Sequence, residues 1–287
     1  MRSVCTTATL LVVATMIFLP AAGVADPPAR APANCRVAVN VPASCATASC
    51  RQISRPRDGR CIHQGYLEYT PPGYGDGAQR PLLIMLHGLG ENGDGSAEDL
   101  SRVPNHGIPE LIANNAWPPV ASASNFIVLS PQHRAAENQS CPSAREVHAF
   151  IDYATRAYNV DRAHVYLTGL SCGGVGVWRY LAEYGDTQGV AAAVPIAGDT
   201  RQAFARRGCA LGRVPTWTFH GERDPGMSVA HVRGPITRLQ ACTPTPEARL
   251  TILPGVGHDA WTHAYEGRED DVYAWLLSHQ SRRIEPR

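Results

Sequence analysis

His164-Val165-Tyr166-Leu167-Thr168-Gly169-Leu170-Ser171-Cys172-Gly173-Gly174 decides how this chain is read. Residues 164–168 form an apolar, β-branched run, and residues 174–184 space their apolar side chains as a helix does. Between them stands Gly169-Leu170-Ser171-Cys172-Gly173, a serine framed by glycines. A strand, a sharp turn and a helix are the setting in which G-x-S-x-G carries meaning. The turn strains the backbone at the serine, and the flanking glycines let neighbouring segments come close. The hydroxyl is then presented at the C-terminal edge of a sheet.

An alkyl hydroxyl is a poor nucleophile near neutral pH. It needs a base within hydrogen-bond reach, and the base needs an orienting acid. In this setting the acid and then the histidine follow the serine along the chain. Two strand-like runs downstream end in such residues. Residues 214–221 (VPTWTFHG) lead into Glu222-Arg223-Asp224, and residues 248–253 (ARLTIL) lead into Pro254-Gly255-Val256-Gly257-His258-Asp259. Asp224 is the candidate acid and His258 the candidate base. Each lies a few residues past a strand end in a Gly/Pro-rich loop, where an open parallel sheet gathers its site. Glu222, Asp199 and Asp259 compete for the role of acid, and His220 and His263 for that of base. His220 ends a strand and suits a loop hydrogen bond, and His263 follows Trp261 on a short helix.

Acyl chemistry also needs two N–H groups facing the oxygen that becomes negative. The residue after the nucleophile, Cys172, supplies one. Residues 81–86 (PLLIML) run as a strand into His87-Gly88-Leu89-Gly90-Glu91-Asn92-Gly93. Leu89 is the second candidate donor, with Gly88 and Gly90 bending the chain around it. This loop lacks the G-K-[ST] ending of a phosphate loop.

Further strands are read at 65–70, 126–130, 164–168, 191–196, 214–220 and 249–253, and helices at 143–158, 174–183, 228–241 and 268–279. Alternating β and α units predict a mostly parallel central sheet with helices on both faces, the α/β class. No internal repeat or low-complexity tract interrupts this order. Only residues 197–213 separate the sixth and seventh strands, too few for a large lid domain, so the site is expected to be open to bulky substrates. Residues 91–125 are long enough to cover one side. Trp117, Trp178 and Trp261 are candidate cleft residues. Trp178 on its helix reads as packing, and Trp261, three residues after His258, as a substrate contact.

With those residues in place the chain resembles the α/β-hydrolase superfamily. More narrowly it is similar to secreted bacterial carboxylesterases of the dienelactone-hydrolase-like, polyhydroxybutyrate-depolymerase-like and predicted-peptidase groups. The matching stretches are residues 83–93 (LIMLHGLGENG), 126–132 (FIVLSPQ), 165–174 (VYLTGLSCGG), 219–224 (FHGERD) and 255–261 (GVGHDAW). The likeness spans roughly residues 63 to 280. It implies an α/β-hydrolase fold, a triad of Ser171, His258 and Asp224, and oxyanion donors at Leu89 and Cys172. Relatives usually carry Met or Ala where Cys172 stands. The likeness does not cover the cysteine-bearing N-terminal segment.

Residues 1–25 read as a secretory signal: Arg2 gives the positive start, residues 10–19 the apolar core, and Gly23-Val24-Ala25 a small-residue cleavage site. The apolar core is short for a membrane span; an uncleaved anchor is the alternative. A cysteine-containing arm at 26–62 and a catalytic domain at 63–287 follow, with no second globular unit. Lys and Arg number 26 against 25 Asp and Glu, giving a net charge of +1. That balance offers no electrostatic footing for nucleic acid or an anionic membrane. All 26 basic residues are Arg, which excludes Ser-Lys dyads, Schiff-base chemistry and Walker-type nucleotide binding.

Setting Cys5 aside leaves eight cysteines, an even number for an oxidising compartment. Cys35, Cys45, Cys50 and Cys61 are expected to staple the N-terminal arm. A zinc reading of these four lacks the paired C-x-x-C spacing. Cys209 and Cys242 suit a bridge, and Cys141 and Cys172 either pair or stay as buried thiols.

These observations predict a secreted or periplasmic serine hydrolase that cleaves carboxylic esters, small or polymeric, through an acyl-enzyme, without metal or organic cofactor. The competing readings are a serine peptidase of prolyl-oligopeptidase-like type, a polyester or feruloyl polysaccharide esterase, and a non-catalytic binding protein on the same scaffold. A thiol enzyme using Cys172 is disfavoured, because the turn exposes its central residue and buries the neighbour.

Overall fold

A computed structural model describes residues 35, 37, 45–61, 64–134, 141–185, 189–244, 246–267 and 270–281. The leader expected at 1–25 lies outside them. Eight strands form one sheet: β1 (Gln52–Arg55), β2 (Tyr66–Tyr69), β3 (Arg80–Leu86), β4 (Ile127–Pro131), β5 (Val160–Leu170), β6 (Ala192–Ile196), β7 (Thr216–Gly221) and β8 (Ala248–Leu253). Their spatial order is β1-β2-β4-β3-β5-β6-β7-β8. β1 pairs antiparallel with β2, and β2 with β4; from β4 through β8 every pair is parallel. This is the α/β-hydrolase fold expected from the sequence. Seven strands lie where the sequence placed them; β1 lies inside the cysteine arm, where no strand was read.

The strands explain why the sheet is covered on both faces. Successive side chains on a strand point to opposite sides. In β3, Leu82, Ile84 and Leu86 enter one core, and Leu83 and Met85 the other. β4 divides in the same way, with Ile127 and Leu129 opposite Val128. The first core is closed by α2 (Ala144–Ala157), α3 (Cys172–Glu183), α4 (Arg201–Arg207) and α5 (Ala230–Gln240), through side chains such as Phe150, Val177, Ala203 and Ile236. The second is closed by α1 (Ile108–Ala113), α6 (Trp261–Glu266) and α7 (Val272–Leu277), through Ile112, Tyr265 and Trp275. Near-continuous apolar runs are what a sheet buried on both faces requires. Trp178 and Trp117 are packing residues in the first and second core respectively, not cleft residues.

Helix ends follow local chemistry. Ser143 caps α2: its hydroxyl accepts from the Glu146 N–H, while the Glu146 carboxylate accepts from the Ser143 N–H. Such a reciprocal pair satisfies two otherwise orphaned donors. Asp271 caps α7 and also accepts from the Ser122 hydroxyl at 2.7 Å, which ties the helix to the segment before β4. Between β6 and β7 stand only α4 and a 3-10 segment, Gly208–Arg213, so no lid domain is inserted there.

Four disulfides join Cys35 to Cys61, Cys45 to Cys50, Cys141 to Cys172, and Cys209 to Cys242. The four N-terminal cysteines are therefore bridged in pairs, which leaves no thiolate for zinc. The arm is also held without sulfur. The Arg55 guanidinium donates to both carboxylate oxygens of Glu68, at 2.9 and 3.2 Å. Glu68 is fully buried and accepts a further 2.5 Å bond from the Tyr158 hydroxyl.

Candidate active site

β5 ends at Leu170 and α3 begins at Cys172, so the chain reverses at one residue, Ser171. Its φ of +52° is a conformation that an L-residue adopts only under constraint. Two backbone bonds supply constraint: the Ser171 N–H donates to the Ile196 carbonyl at 2.9 Å, and the Ser171 carbonyl accepts from Val175 at 3.0 Å. The glycines are steric requirements. A Cβ at Gly169 would lie 2.6 Å from the carbonyl carbon of Gly173.

The serine, histidine and acid converge. His258 Nε2 lies 2.8 Å from Ser171 Oγ, and His258 Nδ1 lies 2.6 Å from Asp224 Oδ2. A carboxylate only accepts, so Nδ1 carries the proton and Nε2 is left to accept from the serine hydroxyl. The Asp224 side chain is fully buried. Its Oδ1 accepts from the N–H groups of Gly226 and Met227, each at 2.8 Å, which fixes the carboxylate plane. His220 is also buried. Its Nε2–H donates to the Met227 carbonyl at 2.6 Å and stands 3.4 Å from Asp224 Oδ2. Burial pushes the His220 pKa down, so it braces the acid loop as a neutral donor.

The competing acids are engaged elsewhere. Glu222 accepts from the Gly255 N–H at 3.0 Å and holds the loop before His258. Asp199 pairs with Arg201, and Asp259 with Thr262. His263 lies on α6.

The two candidate oxyanion donors border the same turn. Cys172 is the first residue of α3, where an N–H has no intrahelical acceptor. Leu89 opens a single 3-10 turn, Leu89–Glu91. A Cβ on the preceding Gly88 would sit 3.7 Å from Ser171 Cβ, which brings this loop against the serine. The loop is pinned from below by residues that sequence reading did not single out. His87 Nδ1–H donates to the Gly88 carbonyl at 2.6 Å, and His87 Nε2 accepts from the His133 N–H at 2.9 Å. Burial pushes the His87 pKa down to about 4, so the ring is neutral, as one donor and one acceptor require. The Gln132 side chain donates to the Glu91 carbonyl at 2.9 Å and accepts from Gly95 at 3.0 Å. The only local signal for these two was their position at strand ends.

Trp261 stands edge-on to His258, with ring centroids 5.3 Å apart, and is mostly buried. It also meets the His106 ring at 5.8 Å, and His106 Nδ1 lies 2.6 Å from Glu91 Oε1. Neither Glu91 nor His106 was singled out in the sequence, because their pairing spans a segment whose regular structure is one short 3-10 helix, Asp99–Asn105.

Residues 74–275, which include every candidate residue above, match the sequence model of the phospholipase/carboxylesterase family. The chain is 26% identical over 180 residues to the bifunctional acetylxylan esterase/xylanase XynS20E of Neocallimastix patriciarum, covering 61% of this chain and 23% of that protein. It is 28% identical over 245 residues to NocK of Nocardia uniformis subsp. tsuyamanensis, a provisionally named esterase, covering 80% of this chain and 67% of NocK. The chain thus spans about a quarter of the first relative and two thirds of the second. Among solved structures it is similar to a thermostable esterase (TM-score 0.59, 24% identity, 80% of this chain and 62% of that one). It is also similar to the feruloyl esterase module from Clostridium thermocellum, solved as an S954A mutant with sinapinate (TM-score 0.55, 16% identity, 77% and 86%). At these identities the structural likenesses speak for the fold. With the family match over most of its length, the chain belongs to the phospholipase/carboxylesterase family of α/β-hydrolases.

Proposed function

We propose that this protein is a serine esterase that hydrolyses carboxylic esters through Ser171, His258 and Asp224. The observation that carries the reading is the single imidazole of His258, hydrogen-bonded to Ser171 on one nitrogen and to Asp224 on the other, at 2.8 and 2.6 Å. Ser171 Oγ attacks the ester carbonyl carbon while its proton passes to His258 Nε2. Asp224 holds the tautomer and stabilises the imidazolium that forms. The N–H groups of Leu89 and Cys172 receive the oxyanion; one such donor is worth about 3–4 kcal/mol of transition-state stabilisation. The tetrahedral intermediate collapses, the carbon–oxygen bond to the alcohol breaks, and the proton on His258 passes to the leaving oxygen. Water, deprotonated by His258, then attacks the acyl-serine and releases the acid.

The protein acts outside the cytoplasm in this reading. Four disulfides support an oxidising compartment. Among the described residues no helix is long and apolar enough to cross a membrane. Acylated polysaccharides are the favoured substrates among the polymeric options, given relatives named for acetylxylan and feruloyl esters and a β6–β7 connection without a lid.

Hydrolysis of p-nitrophenyl acetate tests the assignment. Ser171→Ala is expected to fold normally and lose at least a thousandfold in kcat. Undiminished turnover by a folded Ser171→Ala protein would refute the scheme.

A further inference from the structure

We propose that His106, held by Glu91, sets substrate specificity at this site, and that the alcohol part of the natural ester carries a hydroxyl group to meet it. The proposal rests on the serine-esterase reading above. The Glu91 side chain is only 5% exposed, whereas that of His106 is 50% exposed. A buried carboxylate is costly unless it is paired. Here the partner is the His106 Nδ1–H, at 2.6 Å. The pairing fixes ring orientation and leaves Nε2 as the unused nitrogen, with no hydrogen bond among the described residues. A half-exposed imidazole with one nitrogen tied down and one open is suited to meeting a ligand hydroxyl.

The pair stands at the reacting serine. A Cβ on Gly88 would lie 3.1 Å from Glu91 Oε2 and 3.7 Å from Ser171 Cβ. A Cβ on Gly107, the neighbour of His106, would lie 3.0 Å from Cδ2 of Leu170, the residue before the serine. On its other side the His106 ring meets Trp261, which in turn meets His258. His106 and Trp261 therefore form a row of rings that runs from Glu91, in the loop of the candidate donor Leu89, to the base. The leaving oxygen takes its proton from His258 Nε2 and must come within hydrogen-bond reach of it. That requirement puts the alcohol beside the His258–Trp261–His106 row. A cavity of about 210 Å³ adjoins Trp261 between α1 and α6, bordered by Gly107, Leu111, Trp261 and Tyr265 and carrying polar groups at Glu110 and Asn114. It offers room and hydrogen-bonding partners for the rest of a polyol.

Acetate release from glycerol 1-monoacetate and from propyl acetate compares one acyl group on a hydroxylated and on an apolar alcohol. His106→Phe keeps an aromatic edge against Trp261 and removes both ring nitrogens. The ratio of kcat/KM for the glycerol ester over the propyl ester is expected to fall about three- to tenfold, one hydrogen bond's worth, with the change in KM. His106→Gln, which retains a hydrogen-bonding side chain, is expected to recover part of the ratio, and Glu91→Gln to lower it. An unchanged ratio in His106→Phe, or an equal loss on both esters, would overturn the proposal. So would a loss seen instead between methyl lactate and methyl propionate, which differ on the acyl side. Failure of the unmutated protein to hydrolyse either acetate, with Ser171 unreactive toward a fluorophosphonate, would remove the serine-esterase reading and this proposal with it.

Discussion

A Cβ placed on Gly173 would lie 2.0 Å from the carbonyl oxygen of Leu86. Gly173 is the second residue of the helix behind the serine, and Leu86 ends the strand that feeds the loop of the candidate donor Leu89. The two halves of the site are thus in backbone contact, and only a glycine allows it. Gly173→Ala forces one backbone away from the other, since neither atom belongs to a side chain that can rotate aside. The expected cost is about 2–3 kcal/mol of stability, read from the urea midpoint, with kcat for p-nitrophenyl acetate falling more than tenfold as the candidate donors Leu89 and Cys172 are displaced.

Asp224 accepts two backbone N–H bonds on one oxygen and the His258 proton on the other. Asp224→Asn keeps the size of the group but removes the charge and permits the wrong imidazole tautomer. The expected fall in kcat is about 10⁴-fold, with the circular dichroism spectrum unchanged. Steady-state kinetics on p-nitrophenyl butyrate check it; a loss below tenfold would point to another acid.

Glu68 has no exposure and depends on Arg55 and Tyr158. Arg55→Met strands this carboxylate beneath β1. Because Arg55 itself is partly exposed, the expected loss is about 2–3 kcal/mol, below that of a fully buried pair. Glu68→Gln in the same background is expected to restore part of it, a coupling that a double-mutant cycle in urea measures.

His87 links stability to pH. The unfolded imidazole takes up a proton near pH 6.5, while burial holds the folded one at about 4. Between those values the unfolded chain binds more protons, so this contribution to stability is lost as pH falls through that window. The loss is on the order of 3 kcal/mol once pH is below 4. Urea midpoints from pH 7 to 4 are expected to decline more steeply for the unmutated protein than for His87→Gln, which has no group titrating there.

The strands and the serine were legible because their signals are local. A run such as residues 81–86 is apolar at every position, and Gly169 and Gly173 mark the turn without reference to anything distant. The meeting of His258 and Asp224 beside Ser171 was legible through chain order and their place beyond strand ends. What escaped depends on tertiary contacts. β1 has four residues with no alternation and exists through its pairing with β2. α1 and α4, of six and seven residues, are too short for helical periodicity to emerge. The pairing within the N-terminal arm escaped because partners among four cysteines cannot be deduced from their number, whereas the Cys209–Cys242 bridge was read from its place around a strand and its helix. Glu91 and His106, fifteen positions apart, meet across a segment whose regular structure is the short 3-10 helix Asp99–Asn105, and His87 gains its role only from His133 after another strand.

The central claim is that the hydroxyl at position 171 is the group that bonds to the substrate. Treating the folded protein with a fluorophosphonate and mapping the adduct by peptide mass spectrometry tests it most directly. The account predicts one stoichiometric adduct on Ser171, loss of esterase activity in step with labelling, and none in Ser171→Ala. An adduct on a different residue, or ester turnover that continues with Ser171 fully labelled, would contradict it.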